Sequence, residues 1–287
     1  MYVVSALSLL AVFAPEPRVV GDRPSAKDLL ARGADYVRKF EQDFSTVISL
    51  ELYEQRAEQR RQGMPRASVP LSSLDRTLRS EMLFTRLPGG SWLTVRNVRT
   101  VDGKPIADSE DRLERALTQS GSARLLRALA DEGARFNIGR IRRNVNDPTL
   151  ALRFLSRDLQ EGFKFSLAGR EPIDGVDAWK LSYAERGSPS LVRGSRNEDL
   201  PATGAIWLSV DGTVLRTSFG IADNHTRLDA TNVVDYARDA KLEMWVPVRM
   251  SETYVQRIGS TEERIVCTAT YSDFRRFETS ARVIGIK

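Results

Sequence analysis

Between residues 160 and 277 almost every segment alternates apolar with polar side chains, and this period of two restricts the fold more than any other feature. The clearest case is "KLEMWVPVRMSETYV" (241–255). Leu242, Met244, Val246, Val248 and Met250 point one way, while Glu243, Trp245 and Arg249 point the other, the signature of a strand with one apolar face. Pro247 lacks an N–H, which predicts an edge or a bulge at that point. Phe163, Phe165 and Leu167 alternate in the same way, as do Trp179, Leu181 and Tyr183 after an Asp174-Gly175 turn. A further strand is expected near 229–237, and "EERIVCTATYSDFRRF" closes the series.

The stretch "GAIWLSVDGTVLRTSFG" (204–220) predicts a hairpin. Asp211-Gly212 suits a two-residue type I′ turn with both residues at positive φ. That turn sets Val210 opposite Thr213, Leu208 opposite Leu215, Ile206 opposite Thr217 and Gly204 opposite Phe219, all on one apolar face. Ser209, Val214, Trp207 and Arg216 then share the other face, with Trp207 and Arg216 opposed as a cation–π pair.

The first half of the chain has a different texture. Ser25-Ala26-Lys27-Asp28 reads as a helix start, followed at helical spacing by Leu30, Ala34, Val37, Phe40 and Phe44, with Leu29 and Tyr36 alongside. From Phe44 the period becomes two, and residues 60–74 read as loop. Two strands are expected around 78–87 and 92–101, joined at Pro88-Gly89-Gly90. Residues 109–133 are helical twice over, with stripes Leu113/Ala116/Leu117 and Leu125/Ala128/Leu129 and with Ser109 and Ser122 as caps. Asp147-Pro148 starts a third short helix carrying Leu150, Phe154 and Leu155.

About 11 strands, mostly in sequential order, must curl, because twisted open sheets do not stay flat at that size. The expected fold class is α+β: a curled, incomplete antiparallel β-barrel with an N-terminal helix, its concave face covered by that helix and by a helical insertion at about 103–160. Residues 22–287 are expected to form one domain.

Composition narrows the function. The net charge of +5 invites a nucleic-acid reading, but only 7 of the 43 basic residues are Lys and the Arg residues are spread among 38 acids. The densest groups are Arg56/Arg60/Arg61/Arg66 and Arg135/Arg140/Arg142/Arg143; solvated charged faces account for them, and no nucleic-acid partner is expected. One histidine, His225, and one cysteine, Cys267, exclude a zinc or histidine-cluster site and an intrachain disulfide within a single chain. His225 lies in a polar turn, and Cys267 alternates with Ile265, Ala269 and Tyr271 as a buried, inert thiol. The acids Asp108/Glu110/Asp111 sit at a helix start, where the dipole explains them, and Glu262/Glu263 sit in a turn. Neither "AGREP" (168–172) nor "LPGG" (87–90) has the strand–loop–helix setting of a phosphate loop. No enzyme signature, metal site or cofactor site is expected.

The N-terminal run to Ala14 is too short to span a bilayer as a helix and is expected to be the h-region of an export signal over residues 1–21. Its basic n-region is missing, and cleavage after Gly21 fits better than after Ala14, which Pro15 follows. No Cys follows the run, so a lipoprotein anchor is not expected.

The pattern resembles the LolA/LolB-like lipoprotein-carrier superfamily of exported bacterial proteins. The resemblance runs from about residue 25 to 280 and rests on "TRLPGGSWLTVRNVRTVDGKP" (85–105), "LPATGAIWLSVDGTVLRT" (200–217), "WVPVRMSETY" (245–254) and "ATYSDFRRF" (269–277). It implies a half-barrel whose lidded cavity holds a hydrophobic ligand such as a lipid or acyl chain, in a periplasmic or otherwise extracytoplasmic setting. The chain is longer than the carriers, mainly through 103–160, and lacks the Cys of the membrane-anchored member. No catalytic residue is carried over. On the apolar strand faces the ligand-binding candidates are Phe165, Trp179, Tyr183, Leu208, Leu215, Phe219, Met244 and Met250. The competing reading is an envelope scaffold or signalling module that binds a protein through an outer face carrying Trp207, Trp245, Arg216 and Arg249.

Overall fold

The computed structural model describes residues 23–277, apart from 66–68, 88–89, 120, 142, 144–145 and 195. The expected export segment therefore lies outside the described residues, as do Pro88, Gly89, Arg66 and Arg142. Helix α1 (Ala26–Asp43) starts at Ser25, whose hydroxyl accepts the Asp28 N–H at 3.1 Å. Its buried stripe is Leu29, Gly33, Ala34, Val37 and Phe40.

Eleven strands follow: β1 (Val47–Arg61), β2 (Ser72–Arg86), β3 (Trp92–Val101), β4 (Lys104–Pro105), β5 (Phe163–Arg170), β6 (Trp179–Glu185), β7 (Thr203–Leu208), β8 (Val214–Asp223), β9 (Leu228–Asp239), β10 (Met244–Ile258) and β11 (Thr261–Arg276). They form one antiparallel sheet in the order β4-β3-β2-β1-β11-β10-β9-β8-β7-β6-β5. Every neighbour is a sequence neighbour except β1 and β11, which pair from Val47/Arg276 to Arg61/Thr261. The sheet does not close, because β4 and β5 are its two edges. Pro247 sits at a register shift between β10 and β9, where a residue without an N–H is tolerated.

This strand order explains the path of the insertion. The chain leaves one edge at β4 and resumes at the other edge at β5, so residues 106–162 must cross the sheet. They contain α2 (Arg112–Thr118), α3 (Ser122–Ala134), a 3-10 turn (Ala151–Leu155) and α4 (Arg157–Gln160). The helix starts are Asp111 and Gly121 rather than Ser109 and Ser122, and neither cap uses a side chain.

The insertion splits between both faces of the half-barrel. Ile138, Ile141, Leu152, Phe154 and Leu155 join the main core with α1, covering the inner face as expected. Helices α2 and α3 instead bury Leu113, Ala116 and Leu126 against Ile48, Leu83 and Val95. Leu83 lies between Met82 and Phe84, which face the main core, so this second cluster is on the outer face. The expected lid is thus only the part after α3. The physical reason is that β1–β3 are apolar on both faces and each face needs cover.

The hairpin of β7 and β8 also departs from expectation. Gly204 faces Phe219, Ile206 faces Thr217 and Trp207 faces Arg216 as expected, but the register then shifts and Leu208 faces Val214. Only Gly212 has positive φ in this turn, at 91°, and Asp211 does not. The Gly212 N–H donates to the Ser209 carbonyl at 3.0 Å and the Ser209 N–H to the Thr213 carbonyl at 2.9 Å. The loop is therefore wider than two residues and ends in a bulge. The two-residue turns with both residues at positive φ occur at Asp102-Gly103 (50° and 77°) and Asp174-Gly175 (47° and 81°). As a consequence Leu215 joins Ile173, Ala178, Ala205 and Trp207 on the outer face, while Val214 shares the core with Leu208.

Candidate ligand cleft at the end of the half-barrel

The inner face is apolar, but most of it is filled. Tyr183, Leu208, Phe219 and Met250 are buried in the main core, and Phe165, Trp179 and Met244 lie half-buried against it. Phe154 of the 3-10 turn draws several of them together. Its ring stacks on Phe163 at 4.8 Å, meets Tyr183 edge-on at 5.5 Å and approaches Phe219 at 6.0 Å. Phe165 joins through Phe163 and Tyr183 at 5.9 and 6.1 Å. Leu215 alone of the eight expected residues belongs to the outer cluster.

Free space opens where α1 passes the end of the sheet. A cleft of about 690 Å³ runs between α1, the β7–β8 turn and the start of β10. Tyr36, Phe40, Leu242, Met244 and Trp245 supply its apolar wall. Arg32, Arg38 and Lys39 stand at its polar rim with Asp35, Asp43 and Asp211. The Lys39 ammonium pairs with Asp43 at 2.5 Å, and Arg32 donates to the Val210 carbonyl at 2.5 Å. The Tyr36 hydroxyl is buried and has no hydrogen-bond partner among the described residues. Burial, and then the nearby Asp211 carboxylate, hold its pKa well above the usual phenol range. A buried donor left unpaired costs about 1–3 kcal/mol, and the Tyr36 hydroxyl lies beneath the cleft surface, where only the ring contributes to the wall. The volume is within the range of about 300–1,000 Å³ typical of small-molecule sites.

Of the eight expected residues only Met244 lines this cleft. In the sequence Phe40 belongs to the helical stripe and Tyr36, one turn earlier, lies alongside it. Nothing in the sequence placed that turn over the start of β10, because helix-to-sheet registry is a tertiary property.

The middle of the inner face holds a polar cluster that sequence reasoning missed. Arg96 and Glu51 form a bidentate ion pair at 2.6 and 2.9 Å, with side chains 7% and 0% exposed. The Arg96 guanidinium also stands 4.4 Å from the Tyr53 ring centre. Burial acts to lower its pKa, but the Glu51 charge and hydrogen bonds outweigh this and raise it. Arg143, from the crossing segment, donates to the Tyr53 hydroxyl at 3.0 Å, the Cys267 sulfur at 2.7 Å and the Gln55 amide oxygen at 2.6 Å. Glu252 accepts from the Tyr53 and Tyr254 hydroxyls at 2.7 and 2.6 Å. These contacts fasten Arg143 across the sheet. Cys267 is buried, as expected, and burial pushes its thiol up to about 11.

The outer face differs from the expected binding patch. Trp207 is buried beneath Ile173, Ala178 and Leu215. The cation over its ring is Lys180, at 4.8 Å, whereas Arg216 pairs with Asp235 at 2.5 Å. Arg216 has an acidic partner on the adjacent strand, and an ion pair there outcompetes stacking.

No family model matches the chain, and no curated protein matches it. Solved structures match it over most of its length at low identity. A DUF1329 family protein from Desulfovibrio piger is 12% identical, with a TM-score of 0.34 over 91% of this chain and 95% of that one. A LolA superfamily protein from Nitrosomonas europaea is 10% identical, with a TM-score of 0.31 over 92% and 99%. A domain described as outer membrane lipoprotein-sorting, from Vibrio parahaemolyticus, is 13% identical, with a TM-score of 0.35 over 88% and 95%. At these scores the likeness carries no functional weight, and function is read from the chain's own geometry.

Proposed function

We propose that this is a non-enzymatic binding protein of the cell envelope that holds a hydrophobic ligand, a lipid or acyl chain, at its half-barrel. The observation that carries this reading is the cleft beside α1, where an apolar wall and a mixed-charge rim meet. Apolar contacts at Phe40, Leu242, Met244 and Trp245 take the chain, and the rim cations Arg32, Arg38 and Lys39 face the head. Tyr183, Leu208, Phe219 and Met250 form the packed floor beneath α1 and become accessible to a longer chain only as the covering elements move. The apolar run at the start of the sequence supports the extracytoplasmic setting.

The test combines extraction with quenching. Organic extracts of gently purified protein are expected to contain lipid by mass spectrometry. Phospholipid with brominated acyl chains is expected to quench tryptophan fluorescence through Trp245, and Trp245→Phe should remove most of that quenching. An empty extract together with unquenched wild-type protein would refute the reading.

A further inference from the structure

The two edges of the sheet are not equivalent. Strand β4 ends one side with only Lys104 and Pro105, both exposed. So short an edge, carrying a charge and a residue without an N–H, is a poor template for another strand. Strand β5 ends the other side with eight residues and no proline. Its Phe163, Phe165 and Leu167 turn towards the main core, and Lys164 is its one charged residue before Arg170.

Hydrogen bonding decides which backbone groups of β5 face outwards. The Arg186 N–H donates to the Gly162 carbonyl at 2.7 Å, and the Glu185 N–H to the Ala202 carbonyl at 2.8 Å. Even-numbered residues of β6 therefore bond to β5 and odd-numbered ones to β7. Lys164 lies opposite Ala184 and Ser166 opposite Ser182, so these two use their backbone groups on β6. The N–H and C=O of Phe163, Phe165 and Leu167 are left on the free side. None of them has a hydrogen-bond partner among the described residues. A register shift between Leu167 and Gly169 then ends the run.

This run is complementary to itself. An antiparallel copy centred on Phe165 sets Phe163 opposite the partner's Leu167 and Phe165 opposite the partner's Phe165. The outward groups of each strand then meet as hydrogen-bonded pairs, with these side chains together on the apolar inner face. On the outer face Lys164 stands opposite the partner's Ser166, and no like charges are directly opposed. Other centres fit worse. Centring on Lys164 would set one ammonium against the other, and centring on Ser166 would run Phe163 against the irregularity at Gly169.

We propose that β5 is a dimerisation edge, through which two copies of this chain pair antiparallel over residues 163–167 and join their half-barrels into one sheet. The pairing satisfies the outward backbone groups and gives the half-buried Phe165 and Leu167 a cover that a lone half-barrel lacks. No residue of β5 lines the cleft beside α1, so the proposal stands independently of the lipid reading.

Sedimentation of the full chain up to about 1 mM should show a monomer–dimer equilibrium. Ser166 is exposed, so replacing its side chain tests the register without touching the core. Ser166→Lys sets like charges against Lys164 at both symmetric positions and should weaken the dimer by about threefold or more. Adding Lys164→Glu turns both into opposite-charge pairs and should restore the wild-type affinity or exceed it. The thermal midpoint of dilute protein should be the same in all three chains, because both side chains are exposed. A monomer at every concentration, a dimer indifferent to Ser166→Lys, or no recovery in the double variant would each overturn the proposal.

Discussion

Leu208 on β7 fills the notch that Gly33 leaves on α1: a Cβ on Gly33 would lie 3.0 Å from the Leu208 Cδ2. Leu155 closes the same notch from the other side at 3.1 Å. Helix, sheet and insertion therefore meet at one packed point, and Leu208 is fully buried there. Leu208→Trp should overfill the contact and cost roughly 1–3 kcal/mol, read from the urea midpoint. A variant as stable as the wild type would mean that the half-barrel has free volume beneath α1.

Gly212 is the second close approach to α1. Its φ is 91°, and an added Cβ would stand 2.6 Å from the Arg32 Cβ. Gly212→Val should destabilise by about 1–3 kcal/mol through both the dihedral and the clash. Asp211→Gly should cost less, because Asp211 is not at positive φ and loses chiefly its hydrogen bonds from Ser209 and Thr213.

The Glu51–Arg96 pair predicts a strong asymmetry between single and double replacements. Glu51→Gln leaves a buried guanidinium without its counter-charge and should cost about 3–5 kcal/mol. Glu51→Leu combined with Arg96→Met removes both charges and should cost less than either single change. Chemical denaturation of Glu51→Leu, Arg96→Met and their double variant provides the comparison, and additive losses would contradict it.

Alkaline pH should weaken the fold. The Cys267 thiol is raised from 9.0 to about 11 by burial, so the folded chain retains its proton longer than the unfolded chain does. A group raised in this way contributes its full stabilisation below pH 9 and loses it as pH rises towards 11. Burial also raises Tyr53, Tyr254 and Tyr271, which extends the loss to higher pH. The midpoint of urea unfolding should fall between pH 9 and 11. The same thiol should resist a disulfide reagent at neutral pH until the protein unfolds.

Unfolding should be a single transition. The strands before and after the insertion meet along the whole of β1 and β11, so neither set forms a complete core alone. Limited proteolysis within residues 106–162 should yield fragments that stay associated. Fragments that separate and remain folded would refute a single domain.

Much of this architecture was legible from local chemistry. A period of two, Ser25 ahead of a helical stripe and regularly spaced turn residues carry their meaning within a few positions. They sufficed for the strands, the capped first helix and the helical insertion, because alternation and capping act over one or two turns of chain. Asp-Gly dipeptides were less decisive. Asp102-Gly103 and Asp174-Gly175 adopt the two-residue turn, while Asp211-Gly212 is drawn into a wider loop that faces Arg32 of α1.

What tertiary structure decided was the facing and partnering of residues far apart in sequence. One bulge at the end of β7 moves Leu215 to the outer face, since a single extra residue reverses every side chain beyond it. The path of the insertion follows from β1 pairing with β11, which puts its two ends on opposite edges. Glu51 and Arg96 look like solvated charges in the sequence and become a buried pair only when residues 45 positions apart are brought together. Tyr36 gains its unpartnered site only where α1 lies over the start of β10. Local pattern determines which elements form, whereas registry between elements depends on the packing of both faces at once, and that is a property of the whole sheet.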